Sequence, residues 1–179
     1  MALTLALLRA VNVGGRKLIM AELRELMSDL GFKDARTLLQ TGNLVFDAGA
    51  LSGADLETKL EAETHRHFGL ATDYLVRTAD EWSAIRAANP FPGMARDDPS
   101  HLVVMALKSE PAAGAIDALR AAIVGREEVS LSGRDLYLTY PDNIGDSKLT
   151  AAVIERRLGV RGTARNWNTA NKLAAALAG

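Results

Sequence analysis

Residues 35–48, ARTLLQTGNLVFDA, decide the fold that this sequence predicts. Two short runs of strand-forming residues flank a polar centre near Thr41, Gly42 and Asn43, where a tight turn fits. The stretch therefore predicts a β-hairpin. The segments on either side of the hairpin indicate the kind of sheet in which it lies.

A helical pattern lies on each side of this hairpin, and a strand lies beyond each helix. Upstream, residues 3–13 are apolar, and MAELRELMSDLGF (20–32) repeats Leu and Met at helical spacing before Gly31 ends the helix. Downstream, SGADLETKLEAETHRHF (52–68) begins with a Ser or Asp cap and carries one apolar stripe, and ATDYLVRT (71–78) is a strand. The order βαββαβ is that of a ferredoxin-like unit.

The same order recurs in the second half of the chain. ADEWSAIRAANPFPG (79–93) predicts a short helix that ends at Asn-Pro. HLVVMALK (101–108) predicts a strand, and Pro111 is expected to open a helix that runs to Val124. The remaining elements are a hairpin about Gly133, a helix in SKLTAAVIERRLG (147–159), a last strand in VRGTAR (160–165) and a C-terminal helix.

We therefore predict an α+β fold, a tandem duplication of two ferredoxin-like (βαββαβ) halves plus a C-terminal helix. The whole chain, 1–179, is expected to form a single compact unit. Within it we place the first half and a connecting helix at 1–88, a linker at 89–100, and the second half with the C-terminal helix at 101–179.

The composition excludes several classes of protein. The chain has 179 residues of which 48% are hydrophobic, enough to bury a core. It has no cysteine, which excludes disulfides, thiolate nucleophiles and cysteine metal sites. The apolar N-terminal run is interrupted by Arg9 and is too short to span a bilayer, so we expect a cytoplasmic protein without a membrane partner. A formal net charge of −1 gives no overall attraction to nucleic acid, although six basic residues against one acidic residue follow from Lys148 onward.

Three separated stretches carry a family resemblance: LLRAVNVGG (7–15), QTGNLVFD (40–47) and SKLTAAVIERRLGVRGTARNWNT (147–169). Together they closely resemble a bacterial family catalogued as domain of unknown function 1697, and the similarity extends over nearly the whole chain. The resemblance implies a tandem ferredoxin-like α+β fold. It implies no established activity and no cofactor.

Two loops are candidates for anion binding. In NVGGRK (12–17), successive glycine N–H groups beside a helix N-terminus can hold an anion, although a plain strand-to-helix turn explains the sequence as well. In PDNIGDSKL (141–149), Asp146 or Ser147 is expected to cap the next helix and to leave Lys148 in its first turn. A cation at that position is slightly unfavourable unless an anion is bound there.

The segment Arg165, Asn166, Trp167 and Asn168 stands before the last helix and fits neither a helical stripe nor a strand alternation. One explanation is structural: Asn166, Asn168 or Thr169 caps the helix, and Trp167 packs it against the sheet. The other is functional: Arg165 and a spare amide clamp a phosphate or carboxylate while the indole stacks on a planar ring.

The placement of these loops at the ends of the sheets bears on where a site can form. We expect the loops after the first and third strands of each half at one end of its sheet, and the hairpin and the end of the fourth strand at the other. NVGG and QTGN then lie at opposite ends in the first half, as do NIGDSK and TARNWNT in the second. On this expectation, a shared site forms between the two halves.

The leading hypothesis is a cytoplasmic protein that binds a small anionic or nucleotide-like ligand between its two halves; whether it is also an enzyme is left open. An RNA-binding module and a structural or oligomerisation module without a ligand are the alternatives. We expect a small anionic partner in preference to nucleic acid, no cofactor and no metal, and homo-oligomerisation is left open. Catalytic residues are unknown. The ligand-binding candidates are Arg9, Asn12, Gly14, Gly15, Lys17, Gln40, Asn43, Ser147, Lys148, Arg165, Asn166, Trp167 and Asn168.

Overall fold

The computed structural model describes residues 3–9, 12–13, 16–39 and 42–179, and at 12, 13, 16 and 17 it describes the backbone alone. The chain divides into two compact units, one made of Met1–Ala84 with Lys172–Gly179 and the other of Ile85–Asn171. The sequence placed the whole C-terminal helix with the second half, whereas its last residues, from Lys172 onward, group with the first unit.

The first unit contains a four-stranded antiparallel sheet and two long helices. Its elements are β1 (Leu3–Arg9), the two-residue strands β2 (Asn12–Val13) and β3 (Arg16–Lys17), α1 (Met20–Asp29), β4 (Lys33–Thr37), β5 (Asn43–Asp47), α2 (Gly53–Phe68), β6 (Asp73–Thr78) and the start of α3 (Ala79–Ala87). The sheet order is β4-β5-β1-β6, and β2 pairs only with β3.

One face of this sheet and the apolar stripes of α1 and α2 form a buried core. Alternate residues of β1 point to this core, as expected when successive strand side chains point to opposite faces. The buried members include Ala6, Leu8, Leu44, Phe46, Tyr74 and Val76 from the sheet and Leu23, Leu26, Met27, Leu56 and Leu60 from the helices.

The second unit repeats this plan. Its elements are the end of α3, α4 (Pro92–Asp97), β7 (Leu102–Leu107), α5 (Ala115–Ala121), β8 (Glu128–Ser132), β9 (Asp135–Thr139), α6 (Ala151–Leu158), β10 (Gly162–Asn166) and α7 (Trp167–Leu177), which continues into the first unit. The sheet order is β10-β7-β9-β8. Its core contains Val103, Met105, Leu107, Leu119, Leu136, Leu138, Ile154 and Leu158.

The two sheets have the same topology. In each unit the strands stand across the sheet in the order second, third, first, fourth, and every adjacent pair is antiparallel. The described residues therefore form a mixed α+β protein with two four-stranded antiparallel sheets and seven α-helices.

The strand directions contradict the expected placement of the loops. Because the first and third strands of a unit are antiparallel, their carboxyl ends lie at opposite ends of the sheet. In the first unit Leu7 pairs with Asn43, so β1 ends beside the hairpin. In the second unit Leu102 pairs with Thr139, and Val103 pairs with Asn166, so β9 and β10 both end where β7 begins.

This correction changes where a site can form. The loop that contains Ser147 and the segment that begins at Arg165 lie at the same end of one sheet, and the prediction that they are opposed is wrong. The second unit can therefore form a site from its own loops. A site between the two halves stays a prediction, but the placement of the loops no longer requires it.

Two helix boundaries differ from the predicted ones for local reasons. Pro111 does not open α5, because Gly114 has a left-handed φ of 83° and the helix begins only at Ala115. The segment expected to be an irregular linker contains α4, which Pro92 begins, and a 3-10 turn over Pro99–His101.

Carboxylates on the helices bond to backbone N–H groups of an edge strand in each unit. In the first unit, the N–H groups of Val76 and Tyr74 donate to Oε1 of Glu57 and Oε1 of Glu61, each at 2.9 Å. In the second unit, Gly162 N–H donates to Oε1 of Glu155 at 3.2 Å. These backbone N–H groups face the outer edge of the sheet, where no neighbouring strand can accept their hydrogen bonds, and the carboxylates accept them instead.

Candidate ligand-binding site

The loop after β9 is organised by its own side chains. Asn143 Oδ1 accepts a hydrogen bond from Gly145 N–H at 3.1 Å and begins a 3-10 turn over Ile144–Asp146. Ser147 Oγ accepts from Leu149 N–H at 3.1 Å. The loop is therefore held in one conformation by short-range hydrogen bonds before α6 begins.

The predicted cap of α6 is wrong. Thr150 caps the helix by accepting from Val153 N–H at 3.3 Å, and neither Asp146 nor Ser147 does so. Lys148 therefore lies before the helix, not in its first turn, and its side chain is exposed. A cation in this position does not lie in the first turn of a helix, so it gives no reason to expect an anion there.

A cavity of about 200 Å³ lies between this loop and the loop that joins α5 to β8. Two of the candidates, Ser147 and Lys148, line it. The other lining residues are Val124, Gly125, Glu127, Tyr140, Asp142, Asn143 and Asp146. The two loops are distant in sequence but adjacent at the same end of the sheet, because Glu128 pairs with Thr139.

Glu127 is the unusual group in the wall of this cavity. Its Oε1 accepts a hydrogen bond from the Ser147 hydroxyl. Its Oε2 is buried and receives no hydrogen bond from any residue that the structure describes. A Cβ atom placed on Gly125 would lie 2.5 Å from that Oε2, so a larger residue there would require the end of the Glu127 side chain to shift. Buried oxygens without a donor are rare in folded proteins and call for an explanation.

The neighbouring charged groups are already engaged. Arg126 donates from Nε to Oδ2 of Asp142 at 3.2 Å and from Nη2 to Oδ1, and this hydrogen-bonded pair holds the pKa of Asp142 below its usual value. Asn143 Nδ2 donates to Oδ2 of Asp146 at 2.9 Å. Burial, and then the charge of Glu127, raise the pKa of Tyr140 to about 12, while its hydroxyl donates to the Leu149 carbonyl at 3.0 Å.

The first unit has a cavity at the topologically equivalent place. It measures about 330 Å³ and lies between the α1–β4 loop and the β5–α2 loop. Lys33 pairs with Asp47 there, as Glu128 pairs with Thr139 in the second unit. The residue before that pair is Phe32 in one unit and Glu127 in the other. Phe32 packs on Phe46 with ring centroids 5.1 Å apart, so this position is apolar in the first unit.

Arg165 lies at the same end of the second sheet as the cavity, but it is bonded to its own strand. Its Nη1 donates to Thr163 Oγ1 at 2.9 Å and to the Ala164 carbonyl at 2.8 Å, and burial lowers its pKa to about 10. Arg77 in β6 makes the equivalent bond to the Val76 carbonyl, also at 2.8 Å. The recurrence favours a structural role for both arginines.

The rest of the Arg165–Asn168 segment follows the structural explanation. Asn166 Oδ1 accepts from Thr169 N–H at 2.9 Å, which confirms the cap and selects Asn166 among the three alternatives. Trp167 is only 6% exposed, whereas Asn168 is exposed. None of the four residues lines the cavity that contains Ser147 and Lys148.

The candidates of the first unit divide into two groups. Arg9 forms an ion pair with Asp73 at 3.6 Å, and Asn43, only 2% exposed, donates from Nδ2 to the Leu38 carbonyl at 3.1 Å. Gly14, Gly15 and Gln40 lie outside the described residues, as do the side chains of Asn12 and Lys17. The backbone of Asn12–Val13 pairs with Arg16–Lys17, so part of the predicted loop is a short ladder.

Sequence reasoning missed Glu127 and Gly125, which define this cavity. The sequence does contain a signal for this site. When the two hairpins are aligned, the residue before the first hairpin strand is Phe32 in the first half and the acidic Glu127 in the second. The described residues include no group of three or more His, Asp or Glu side chains able to hold a metal ion. In the same part of the chain, every helix is too short or too polar to cross a membrane.

Fold and cavity together define a class of protein: a tandem α+β protein with two topologically equivalent sheets and a polar cavity at one end of the second. The chain belongs to the family described as Protein of unknown function (DUF1697), whose profile matches residues 1–137.

The fold is also found in a solved structure, that of the conserved bacterial protein SP0830 from Streptococcus pneumoniae. The two chains are 22% identical, the alignment covers 98% of each, and the TM-score is 0.76. At this identity the likeness shows a common fold and nothing about activity. No curated protein matches the chain.

Proposed function

We propose that this protein binds a small molecule with an acidic group in the cavity of its second unit, and that its two units are diverged copies of one ferredoxin-like module. The observation that carries the binding proposal is the buried Oε2 of Glu127, which has no donor among the described residues. The identical strand order of the two sheets supports the duplication.

An unpartnered buried oxygen costs free energy, about 1–3 kcal/mol and more when the group is charged. A ligand that brings a hydrogen-bond donor to the cavity wall removes this cost. The last torsion of a glutamate side chain is broad, so the carboxylate can turn toward a ligand without leaving its rotamer. Binding would then add a hydrogen bond to an oxygen that has no donor among the described residues.

Lys148 supplies the attraction for the acidic group. Its side chain is exposed at the lining of the cavity, and in the described part of the chain it makes no ion pair. The hydroxyl of Ser147 lies in the same wall. These groups support a small ligand with an acidic group within the second unit, in place of the shared site that the sequence predicted.

The test is a ligand screen read by melting temperature and by backbone amide NMR shifts. Nucleotides, phosphorylated metabolites and small carboxylic acids form the library. We expect at least one compound to raise the melting temperature and to shift the amides of 124–127 and 140–148. The equivalent cavity of the first unit, at 30–33 and 47–51, is the control within the same molecule and should not respond.

Two variants make the screen specific. Glu127→Gln keeps the shape of the side chain and removes its charge, and we expect it to weaken binding of any hit. Glu128→Gln, at the exposed neighbouring residue, is the matched control and should leave binding unchanged. A library without a single hit, or hits that Glu127→Gln does not affect, would contradict the proposal.

The structure gives less support to RNA binding. Ferredoxin-like RNA-binding sheets stack bases on exposed aromatic side chains. In this protein, the aromatic residues of the strands are Phe46, Tyr74 and Tyr137, and each is no more than 1% exposed. Stacking on either sheet would require these rings to leave the protein interior.

A further inference from the structure

The polar groups around the cavity differ in whether they can still form a hydrogen bond or ion pair with a ligand. Asp142 is paired with Arg126, and Asp146 accepts from Asn143, so both carboxylates already have donors. Glu127 has one hydroxyl donor on Oε1 and none on Oε2 among the described residues. The cavity therefore has one under-satisfied carboxylate, from Glu127, and one ammonium group without an ion pair in the described residues, from Lys148.

A carboxylate in this position is best satisfied by a cationic donor. Hydrogen bonds between ionised partners are shorter and roughly twice as strong as those between neutral groups. A neutral hydroxyl or amide would satisfy the lone pair of Oε2 but not the charge. Asp146, which is bonded to the neutral amide of Asn143, adds negative potential at this wall and favours a cation over a second anion there.

The equivalent position in the first unit shows that the fold does not need this acid. Phe32 takes the same place before the hairpin and packs into the core. Two residues before this position, the first unit has Leu30 and the second has Gly125. A side chain is thus missing at the point where a Cβ would collide with the Glu127 carboxylate. The second unit provides room for a half-buried carboxylate where the first fills the space with an aromatic ring.

We infer that the ligand of this cavity is zwitterionic, with an ammonium group that donates to Glu127 and an acidic group that faces Lys148. This inference rests on the proposed binding site and specifies the chemical class of its ligand. The acidic group is a carboxylate or a phosphate, since both accept a hydrogen bond from an ammonium donor. An amino acid or a phosphorylated amino alcohol has this combination of groups.

Five small probes separate the contributions of the two charges. β-Alanine and O-phosphoethanolamine carry both groups, propanoate and ethyl phosphate carry the acid alone, and propylamine carries the amine alone. Each is titrated at neutral pH and constant ionic strength, and the dissociation constant is read from the amides of 124–127 and 140–148. We expect one of the zwitterions to bind at least about tenfold more tightly than both of its single-charge analogues, because it alone makes both charge-assisted contacts.

Three variants assign the two charges to their residues. In Glu127→Gln, the zwitterion should lose most of its advantage over the acid-only probe. In Lys148→Met, it should lose most of its advantage over the amine-only probe. Lys59→Met, at an exposed lysine of α2 in the other unit, should change neither preference.

The outcomes separate this inference from the binding proposal. If propanoate or ethyl phosphate binds in the cavity as tightly as its zwitterionic counterpart, the inference is wrong and the binding site stands. If propylamine equals the zwitterions, the acidic group contributes nothing, and the inference and the proposal of an acidic ligand fail together. If neither these probes nor any member of the wider library shifts the cavity amides, both proposals fail together.

Discussion

Glu127 in the second unit and Phe32 in the first occupy the same position, immediately before the residue that opens the hairpin. Lys33 pairs with Asp47 after Phe32, and Glu128 pairs with Thr139 after Glu127. The first unit places an aromatic ring in its core at this point. The second places a carboxylate whose buried Oε2 accepts no hydrogen bond from the described residues. The two halves keep one topology and differ in chemistry at one equivalent place.

Replacing this carboxylate should stabilise the free protein. Glu127→Met removes the undonated oxygen and keeps a flexible side chain that can fill the space, at the loss of the Ser147 hydrogen bond. We expect the free energy of unfolding to rise by about 1 kcal/mol in urea denaturation. Glu128→Met, at the exposed neighbour, should change it by less than about 0.5 kcal/mol. A clear loss of stability in Glu127→Met would show that the carboxylate is structural.

Glu57 should be a stabilising residue, although it is acidic and only 3% exposed. Glu57→Ala leaves Val76 N–H without its acceptor, and we expect a loss of about 1–3 kcal/mol. In Glu57→Ala, the rate of hydrogen exchange at the Val76 amide should rise by a larger factor than the exchange rates at amides of the central strands β1 and β5. Glu57→Gln keeps an acceptor oxygen and should lose less. Equal losses in the two variants would mean that the charge, not the hydrogen bond, matters.

Gly162 should be required by the close approach of β10 to β7. A Cβ there would lie 2.5 Å from the Ala106 carbonyl oxygen and 2.9 Å from Leu107 Cδ2. Because a backbone atom cannot move aside cheaply, Gly162→Ala should destabilise the protein by about 1–3 kcal/mol. Gly93→Ala in α4 has open space around the new methyl group, and it should be neutral or stabilising by up to about 1 kcal/mol. Similar thermal midpoints for both variants would contradict this assignment.

The three tyrosines should resist alkaline titration. Burial raises the pKa of Tyr74, Tyr137 and Tyr140 to about 12 in the folded chain. Since these pKa values exceed that of an unfolded tyrosine, near 10, the associated stability is complete below pH 10 and is lost as the pH rises toward 12. Phenolate absorbance should therefore appear near pH 12 together with unfolding. A separate transition near pH 10 with the fold intact would show that at least one ring is accessible.

Arg165 should report on folding and not on ligand binding. Arg165→Met keeps the aliphatic stem and removes the donors to Thr163 and Ala164, so we expect the free energy of unfolding to fall by about 1–3 kcal/mol. Affinity for any ligand of the Glu127 cavity should stay the same. Arg156→Met on the exposed face of α6 is the matched control and should affect neither. Weakened binding with unchanged stability would restore Arg165 as a ligand-binding residue.

The strands and their order along the chain could be predicted because the signals are local. The run from Leu102 to Leu107 is apolar and bounded by polar residues, and the hairpin about Gly133 has a left-handed glycine, φ 57°, at its turn. Such patterns follow from side-chain periodicity and turn chemistry within a few residues. The direction of the third strand also follows from the hairpin, because the two strands of a hairpin are antiparallel. The expected placement of the loops was wrong because it did not include this reversal of direction.

The cavity could not be predicted because its determinants are separated in sequence. Ser147 and Thr150 can both cap a helix. In the structure Thr150 is the cap, while the Ser147 hydroxyl donates to Glu127, twenty residues earlier. The Oε2 atom of Glu127 is in turn enclosed where two loops meet beside the Glu128–Thr139 pair. A sequence pattern records neither contact. The role of Arg165 likewise depended on which oxygens lay within its reach.

The carboxylates that α2 directs at β6 have a consequence for how this protein can assemble. An exposed strand edge is a template on which another chain can add a strand, and repeated addition leads to fibres. Here the N–H groups of Tyr74 and Val76 are already bonded to Glu61 and Glu57. An incoming peptide would have to displace both carboxylates from these N–H groups. Strand addition at β6 therefore competes with these two hydrogen bonds, and the helix that completes the core also protects this edge against polymerisation.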